Sequence, residues 1–358
     1  METPAINACR FPFQQEQLLV NDRPLKRSRV KIAFELLRNY GLDRLVGKPS
    51  TAGFWWLKEV ARVRDEKSFQ AYLESARPSP LYLMDYQSKL AYDHRNEEGI
   101  IVLPYAPPIG DQINPEAAFI HALALHDDYL LKGRPERRDE FMFVADYFYR
   151  RQTEDGDWQY LFDWPGSKAP WTSALAQGRG ASVMLRAFLL SGEERFRTAA
   201  IKALDKFDKP LEEGGYQAIH PLTGLPYYEE YPSRPIGVMN GFMASLLGCW
   251  EVAHWLGEEK ARQLFDQGIV SLIAMTPHYL TSWWSVYDRN PDVKSPNYNT
   301  PRYHRLVLSY FEILAVLSGN EEIAAQRDEW QARLGWFNET RALLLKFGWK
   351  LRHGVFSS

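Results

Sequence analysis

The chain is short of cysteine, of long apolar runs and of net charge, and each shortage removes a class of protein. Two cysteines, Cys9 and Cys249, stand among 358 residues. One lies near the start and the other inside an apolar helical pattern, so no disulfide framework is expected and a reducing, cytoplasmic setting fits better. No apolar stretch reaches the roughly 20 residues needed to cross a bilayer. Residues 1–13 lack a basic segment followed by an apolar run, so no signal peptide is expected either. A formal charge of −2 offers no basic field to nucleic acid or an anionic membrane. An acidic partner must therefore be held by local arginines. A phosphate-binding loop, a dinucleotide fingerprint after a strand and a Gly-x-Ser-x-Gly elbow are also missing, which disfavours nicotinamide-dependent sugar chemistry. His121 and His126, five apart, fall on different sides of a helix and make no metal pair. Neither a metal nor an organic cofactor is expected.

What the chain has is aromatic. It carries 12 Trp and 19 Tyr, many in turn segments: Trp158, Tyr160, Trp164, Trp171, Tyr227, Tyr228, Trp283 and Trp284. Flat rings stack on sugar faces, and Tyr and Trp add a polar handle. Any one of these rings fits ordinary packing of a loop on a core; as a set they favour a carbohydrate cleft.

Residues 1–110 read as a mixed N-terminal region. Helical patterns occupy 27–40, 55–63 and 69–76, and residues 81–84 and 100–103 read as short strands, paired as a hairpin. A Pro/Gly-rich connector over 104–115 marks a soft boundary. Residues 111–358 read as a train of helices over 115–131, 137–151, 173–190, 193–207, 236–255, 258–275, 303–317 and 321–345. Short turns alternate with long aromatic loops over 153–170, 209–235 and 277–301, and long loops in a compact domain are often functional. The first helix of each pair is rich in small residues and the second in charge, which suits an inner and an outer ring. The expected fold is mainly α: an α/α barrel, or toroid, of helical hairpins. Its long loops enter inner helices at their N-termini and share one mouth. Helix N-termini there favour a bound carboxylate.

Six blocks carry the chemistry-bearing residues. They are the run from Pro170 through Trp171 to Gly178, Glu229-Glu230-Tyr231-Pro232, Val238-Met239-Asn240-Gly241-Phe242-Met243, Val286-Tyr287-Asp288-Arg289, Ser295-Pro296-Asn297 and Tyr303-His304. Glu229, Glu230 and Tyr231 place two carboxylates and a phenol in one loop, with Tyr227 and Tyr228 ahead of them. Burial would raise a Glu towards neutrality, and a nearby cation would lower a Tyr. His304 begins a helix and is a proton carrier by type. Arg289, Arg179 and Arg302 suit a carboxylate clamp. Gln177 and Asn240, at inner-helix starts, either bind sugar hydroxyls or cap their own helices. Trp171 offers a stacking face. Asp157 and Asp163 also offer a glycosidase pair, weakened by their place in an aromatic loop.

In order and spacing, these blocks over residues 170–320 resemble the C-terminal region of the D-glucuronyl C5-epimerases. The resemblance implies an α/α-barrel domain with no organic cofactor. The implied activity converts D-glucuronate to L-iduronate in an acidic, heparosan-type polysaccharide. It implies that Glu230 and Tyr231 match the acid–base loop, Tyr287 the tyrosine of a Tyr-Asp-Leu-Arg block, and Tyr303 that of an Asp-Tyr-His block. Relatives are commonly homodimers. This sequence departs from them in two places. Arg289 comes one position early after Tyr287, and Arg302 stands before Tyr303 where relatives carry an acid. The membrane anchor and larger β-rich N-terminal portion of the animal members are not expected here. A uronate lyase or a glycoside hydrolase on a similar helical barrel remains the alternative, since a lyase begins with the same proton removal.

Overall fold

The computed structural model describes residues 59–75, 78–105, 107–290 and 293–353, and over these the chain is mainly helical. The helix expected over 27–40 and the first four residues of that over 55–63 lie outside the described residues, as does Cys9. The described end of the 55–63 pattern is a strand, β1 (Val60–Ala61), which pairs antiparallel with β2 (Met84–Asp85). A short helix α1 (Glu66–Ser75) lies between them and a 3-10 turn (Gln87–Ala91) follows. β3 (Leu103–Pro104) pairs with β4 (Asp111–Gln112) across the proline-rich connector. The expected hairpin between 81–84 and 100–103 is thus replaced by two separate strand pairs. The physical reason lies at Tyr82, whose N–H donates to the Asp127 carboxylate at 3.1 Å and so ties that segment to the first long helix.

That helix, α2 (Pro115–Lys132), opens the main architecture. It is followed by α3 (Pro135–Tyr149), α4 (Ala174–Ser191), α5 (Glu194–Lys202), β5 (Gln217–Ile219), β6 (Pro226–Tyr228), α6 (Met239–Leu256), α7 (Glu259–Met275), α8 (Pro301–Ser318), α9 (Glu321–Gln331) and α10 (Trp336–His353). The single helix expected over 321–345 is broken at residues 332–335, where turns at Arg333 and Leu334 and a glycine, Gly335, end one helix and begin another.

The helices form four hairpins with a common construction. α2, α4, α6 and α8 each have 18 residues, about 27 Å of helix. Each stops at a glycine with φ between 63° and 73°, namely Gly133, Gly192, Gly257 and Gly319. A left-handed residue closes the last turn at no steric cost only if it lacks a Cβ. The partner helix starts within two residues. Asn114 and Thr300 accept hydrogen bonds from the first turns of α2 and α8, and Pro115 and Pro301 occupy positions where no N–H is needed. α2, α4 and α6 are buried on every side over most of their length, whereas α3, α5, α7 and α9 bury one stripe.

In space α2 lies beside α4, α4 beside α6 and α6 beside α8. The segment that carries β1, β2 and the 3-10 turn touches both ends of this row, β1 against α8 and the turn against α2. One apolar cluster draws on both sides of residue 110, from Ala61 and Tyr82 through to Trp330. Buried ion pairs fix the layers: Arg186 of α4 clamps Glu251 of α6 with bonds of 2.5 and 2.9 Å, and Arg62 reaches Asp127 of α2. Cys249 sits wholly buried in α6 as a free thiol whose pKa burial pushes up.

The crossing of α4 and α6 explains the small residues in both. A Cβ built on Gly248 would stand 2.3 Å from the carbonyl oxygen of Gly178 and 2.6 Å from its Cα, and one on Gly178 would stand 2.8 Å from the Ser245 Cα. Backbone meets backbone there, so neither helix can yield without moving as a whole. Gly→Ala inside a helix ordinarily stabilises by about 1 kcal/mol. Here Gly248→Ala is expected to reverse that sign and lose about 2–3 kcal/mol through overpacking, read as a lower denaturant midpoint at unchanged slope.

Candidate active site

The segments that lead into α2, α4, α6 and α8 gather at one end of the row. The amide of Ala174, at the start of α4, donates to the Glu229 carbonyl at 3.3 Å. The Asn114 amide, at the start of α2, donates to the Tyr105 hydroxyl at 2.8 Å, and the Tyr105 ring packs on Phe162 in the loop before α4. Trp171, three residues before α4, lies 5.9 Å from the ring of Tyr231, in the loop before α6. Tyr287, in the loop before α8, meets Tyr303 in the first turn of α8 edge to face at 5.3 Å.

Glu230 is the centre of this gathering. The turn that carries it is built by its neighbour. Glu229 is fully buried and accepts from the Tyr227 hydroxyl at 2.7 Å, the Gly237 amide at 2.9 Å and the Tyr231 amide at 3.0 Å. These bonds close the loop from β6 to α6. Glu230 then folds over Gly241, in the first turn of α6, so closely that a Cβ there would meet its Oε2 at 2.2 Å. The Asn-Gly-Phe-Met block owes its glycine to the glutamate of the Glu-Glu-Tyr-Pro block. Glu230 Oε2 is buried with no hydrogen-bond partner among the described residues. Burial pushes the carboxyl up to about 7; a bond from Tyr231 and the charge of Arg179 pull it down, and the charge of Glu229 pushes it further up. Burial wins because the carboxylate has traded water for apolar and aromatic walls. A carboxyl poised there at neutral pH can give or take a proton.

Two tyrosines bear on it directly, and a third stands beside them. Burial raises the hydroxyls of Tyr231 and Tyr287 well above the usual phenol range, and the charge of Glu230 adds to both. Tyr303 lies within electrostatic reach of Tyr231 and Tyr287. Behind Tyr231, Trp171 stacks on Tyr160 at 3.8 Å with planes 9° apart, and both belong to a small aromatic cluster with Phe162. Glu230, Tyr231, Tyr287 and Tyr303, from three segments far apart in the chain, therefore share one place.

The other sequence candidates are differently employed. His304 stands apart from the group: its ring is stacked between Trp284 at 4.1 Å and Trp330 at 5.4 Å. Its Nδ1 bonds Ser285 at 2.7 Å and its Nε2 the Trp330 carbonyl at 3.1 Å. Burial pulls its pKa down to about 4, which keeps it neutral and structural. Gln177 is fully buried and its amide bonds the backbone of the loop at Gly156, 3.2 Å, and Trp158, 2.9 Å. Glu229 acts as a loop tie. Arg289 lies over the Tyr279 ring at 5.6 Å, and its backbone amide donates to the Ile236 carbonyl. Arg302 turns to Glu59 at 3.4 Å, an oxygen that also takes Lys89 at 2.6 Å. Burial opposes the charge of Glu59, but the two cations hold it down to about 2. Asn240 sits beside Gly241 and is 8% exposed, the most accessible of the buried polar groups at this end. The glycosidase pair does not form. Asp157 is bound by Lys206 and Tyr216, each at 2.6 Å, while Asp163 is held by Lys168 at 2.9 Å.

Tyr160, one of the loop aromatics, is buried in electrostatic contact with Glu230. Two further participants escaped the sequence. Glu116, in the first turn of α2, pairs with Arg179. Lys346, from α10, bonds the Asn297 side chain at 2.7 Å, and Asn297 in turn accepts the Tyr287 amide at 2.7 Å. No local pattern marks them: Glu116 reads as an ordinary first-turn acid and Lys346 as an exposed helix charge.

The family model for the C-terminus of D-glucuronyl C5-epimerase matches residues 151–332, just over half of the chain and all of the glutamate and tyrosine loops. The chain belongs to that family. It is 28% identical over 222 residues to the D-glucuronyl C5-epimerase of Caenorhabditis elegans, covering 56% of this chain and 36% of that one. It is 31% identical over 136 residues to an uncharacterised protein of Methanocaldococcus jannaschii, covering 37% and 44%. The chain thus spans less than half the length of the curated relatives it matches. Among solved structures, an unsaturated glucuronyl hydrolase from Bacillus sp. GL1 has a TM-score of 0.44 at 14% identity, covering 75% of this chain and 67% of that one. A family 76 glycoside hydrolase (mannosidase) from Bacteroides thetaiotaomicron has a TM-score of 0.42 at 14% identity, covering 64% and 62%. At that level neither carries anything over to this chain.

Proposed function

We propose that this chain inverts C5 of a D-glucuronate residue to L-iduronate within an acidic, heparosan-type polysaccharide, by removing the C5 proton from one face and returning one from the other. The observation that carries the reading is the convergence of a buried carboxyl poised near neutrality with Tyr231 of its own loop, Tyr287 of the loop before α8 and Tyr303 of the first turn of α8. The C5 hydrogen is weakly acidic because it lies beside a carboxylate, and its removal adds charge to an anion. The reaction therefore needs a base of matched pKa, an acid on the opposite face and donors for the developing enediolate.

Glu230 is the proton acceptor on one face. Tyr303, with Tyr287 against its ring, is the proton donor on the other, and Tyr231 bonds the Glu230 carboxyl. Trp171, stacked on Tyr160, backs Tyr231 from behind instead of offering its face to the sugar, and Asn240 bonds the sugar hydroxyls. The N-termini of α4, α6 and α8 supply backbone dipoles to the uronate carboxylate. The row of hairpins curls into an α/α toroid, closed by the β1–β2 segment, and the polymer runs across its mouth. Organic cofactors have no part in this chemistry.

Chain ends separate this reading from its neighbours. Incubation with uronate polymers is expected to change sugar configuration while creating neither unsaturated, ultraviolet-absorbing ends nor new reducing ends. Unsaturated ends would identify β-elimination, and reducing ends without unsaturation would identify hydrolysis.

A further inference from the structure

Arg179 is a buried cation whose charge is spoken for by protein groups. It pairs with Glu116 of α2, donates to the Tyr310 hydroxyl of α8 at 2.8 Å and to the Tyr86 hydroxyl at 3.2 Å, and is 3% exposed. Glu116 is 4% exposed, and among the described residues neither its Oε2 nor Arg179 Nε has a hydrogen-bond partner. Three helices and the 86–91 segment therefore converge on one guanidinium. Its neighbour in sequence, Gly178, packs on Ser245 of α6, one turn along from Gly241, over which Glu230 is folded. Burying an ion pair of this kind is weak support for stability, because an apolar pair of like volume would fill the space without desolvating two charges. Its worth is better sought in the field it casts.

We propose that Glu116 and Arg179 form a positioning pair that sets when Glu230 holds its proton, with Arg179 supplying the cation and Glu116 tempering it. This rests on the reading of Glu230 as the proton carrier. The groups that bear on Glu230 are Glu229, Tyr231, Tyr160, Tyr287 and Arg179. Around Arg179 stand Glu116, Tyr82, Tyr86, Tyr310 and Glu59. Among the charges of the described residues that act on Glu230, Arg179 favours its ionised form, whereas Glu229 opposes it. Removing either member of the pair should therefore act in opposite senses. Without the guanidinium, Glu230 keeps its proton to higher pH. Without the Glu116 charge, the guanidinium acts undiluted and Glu230 releases its proton at lower pH.

The test uses the full chain with Arg179→Gln, Glu116→Gln and Arg179→Lys, each made with and without Glu230→Gln. Stability against pH is measured for every pair, and the difference within a pair isolates the titration of Glu230 without any substrate. Arg179→Gln is expected to move the upper end of that titration up by about one pH unit, a tenfold change in proton affinity. Glu116→Gln is expected to move it down, and Arg179→Lys to leave it near the parent value. Titrations that do not move, or that move in the same direction for both neutral variants, overturn the proposal. The acid limb of C5 exchange is expected to follow the same order. If the titrations move as stated while the parent shows no exchange at C5, the pair stands and the reading of the reaction falls.

Discussion

Glu230→Gln is expected to remove about 10³-fold of C5 exchange, the middle of the range for a positioned proton carrier, and at the same time to make the protein more stable above neutral pH. The two effects share one cause. A carboxyl raised from its ordinary 4.5 to about 7 binds its proton more tightly in the folded chain than in the unfolded one. Between those values the folded state holds more protons, so stability falls as pH rises through the window, and the loss is complete above about 7. Moving a buried carboxyl over that range is worth about 3 kcal/mol. Glutamine cannot ionise and escapes it. The stability gap between variant and parent should thus be small at pH 4 and grow to about 2–3 kcal/mol at pH 8. Activity of the parent should rise through the same window and level off above it. A glutamate that merely decorated a turn would give neither the pH-dependent gap nor the loss of exchange.

Gly241→Ala is expected to cost about 100-fold in kcat while leaving the fold in place. The added methyl would lie 2.2 Å from Glu230 Oε2 and 2.9 Å from its Cβ and Cδ. The carboxyl end alone cannot swing clear, since the Cβ is also in the way, so the 229–231 turn must shift. A displacement of about 1 Å at a reacting group is enough for a hundredfold loss. The helix itself gains, because alanine is the better helix former by about 1 kcal/mol. Unfolding by urea should therefore show a midpoint within about 1 kcal/mol of the parent beside a large kinetic defect. This combination separates Gly241 from Gly248, where the same change meets backbone and the loss falls on stability.

Much of this was legible in the sequence, and the reasons differ by element. The four long helices were readable because apolar residues recur at helical spacing and left-handed glycines end them. The order of the polar blocks pointed to Glu230, Tyr231, Tyr287 and Tyr303, which the fold then brings together. The pairing of the short strands is not written locally, because two-residue pairings are chosen by tertiary anchors such as Asp127, which lies 45 positions from Tyr82. His304 looked like a proton carrier because the residue type is suited to it; its role as a packed ring depends on Trp330, 26 positions away, which no local window contains. Gln177 looks like a ligand for sugar because it is polar at a helix entry, and Glu229 like a second carboxylate for the chemistry. Their amide and carboxylate are instead consumed by loop backbone, which a buried turn demands when water cannot reach it. Lys346 and Glu116 show the converse, charges that a helical pattern places on a surface and that tertiary packing draws inward.

The most direct test of the central claim is the fate of the C5 hydrogen. A glucuronate polymer incubated with the protein in heavy water should acquire deuterium at C5 in both D-glucuronate and newly formed L-iduronate, with chain length unchanged, and the label should vanish with Glu230→Gln. Absence of label at C5 across a panel of glucuronate and iduronate polymers, with the parent protein folded, would contradict it.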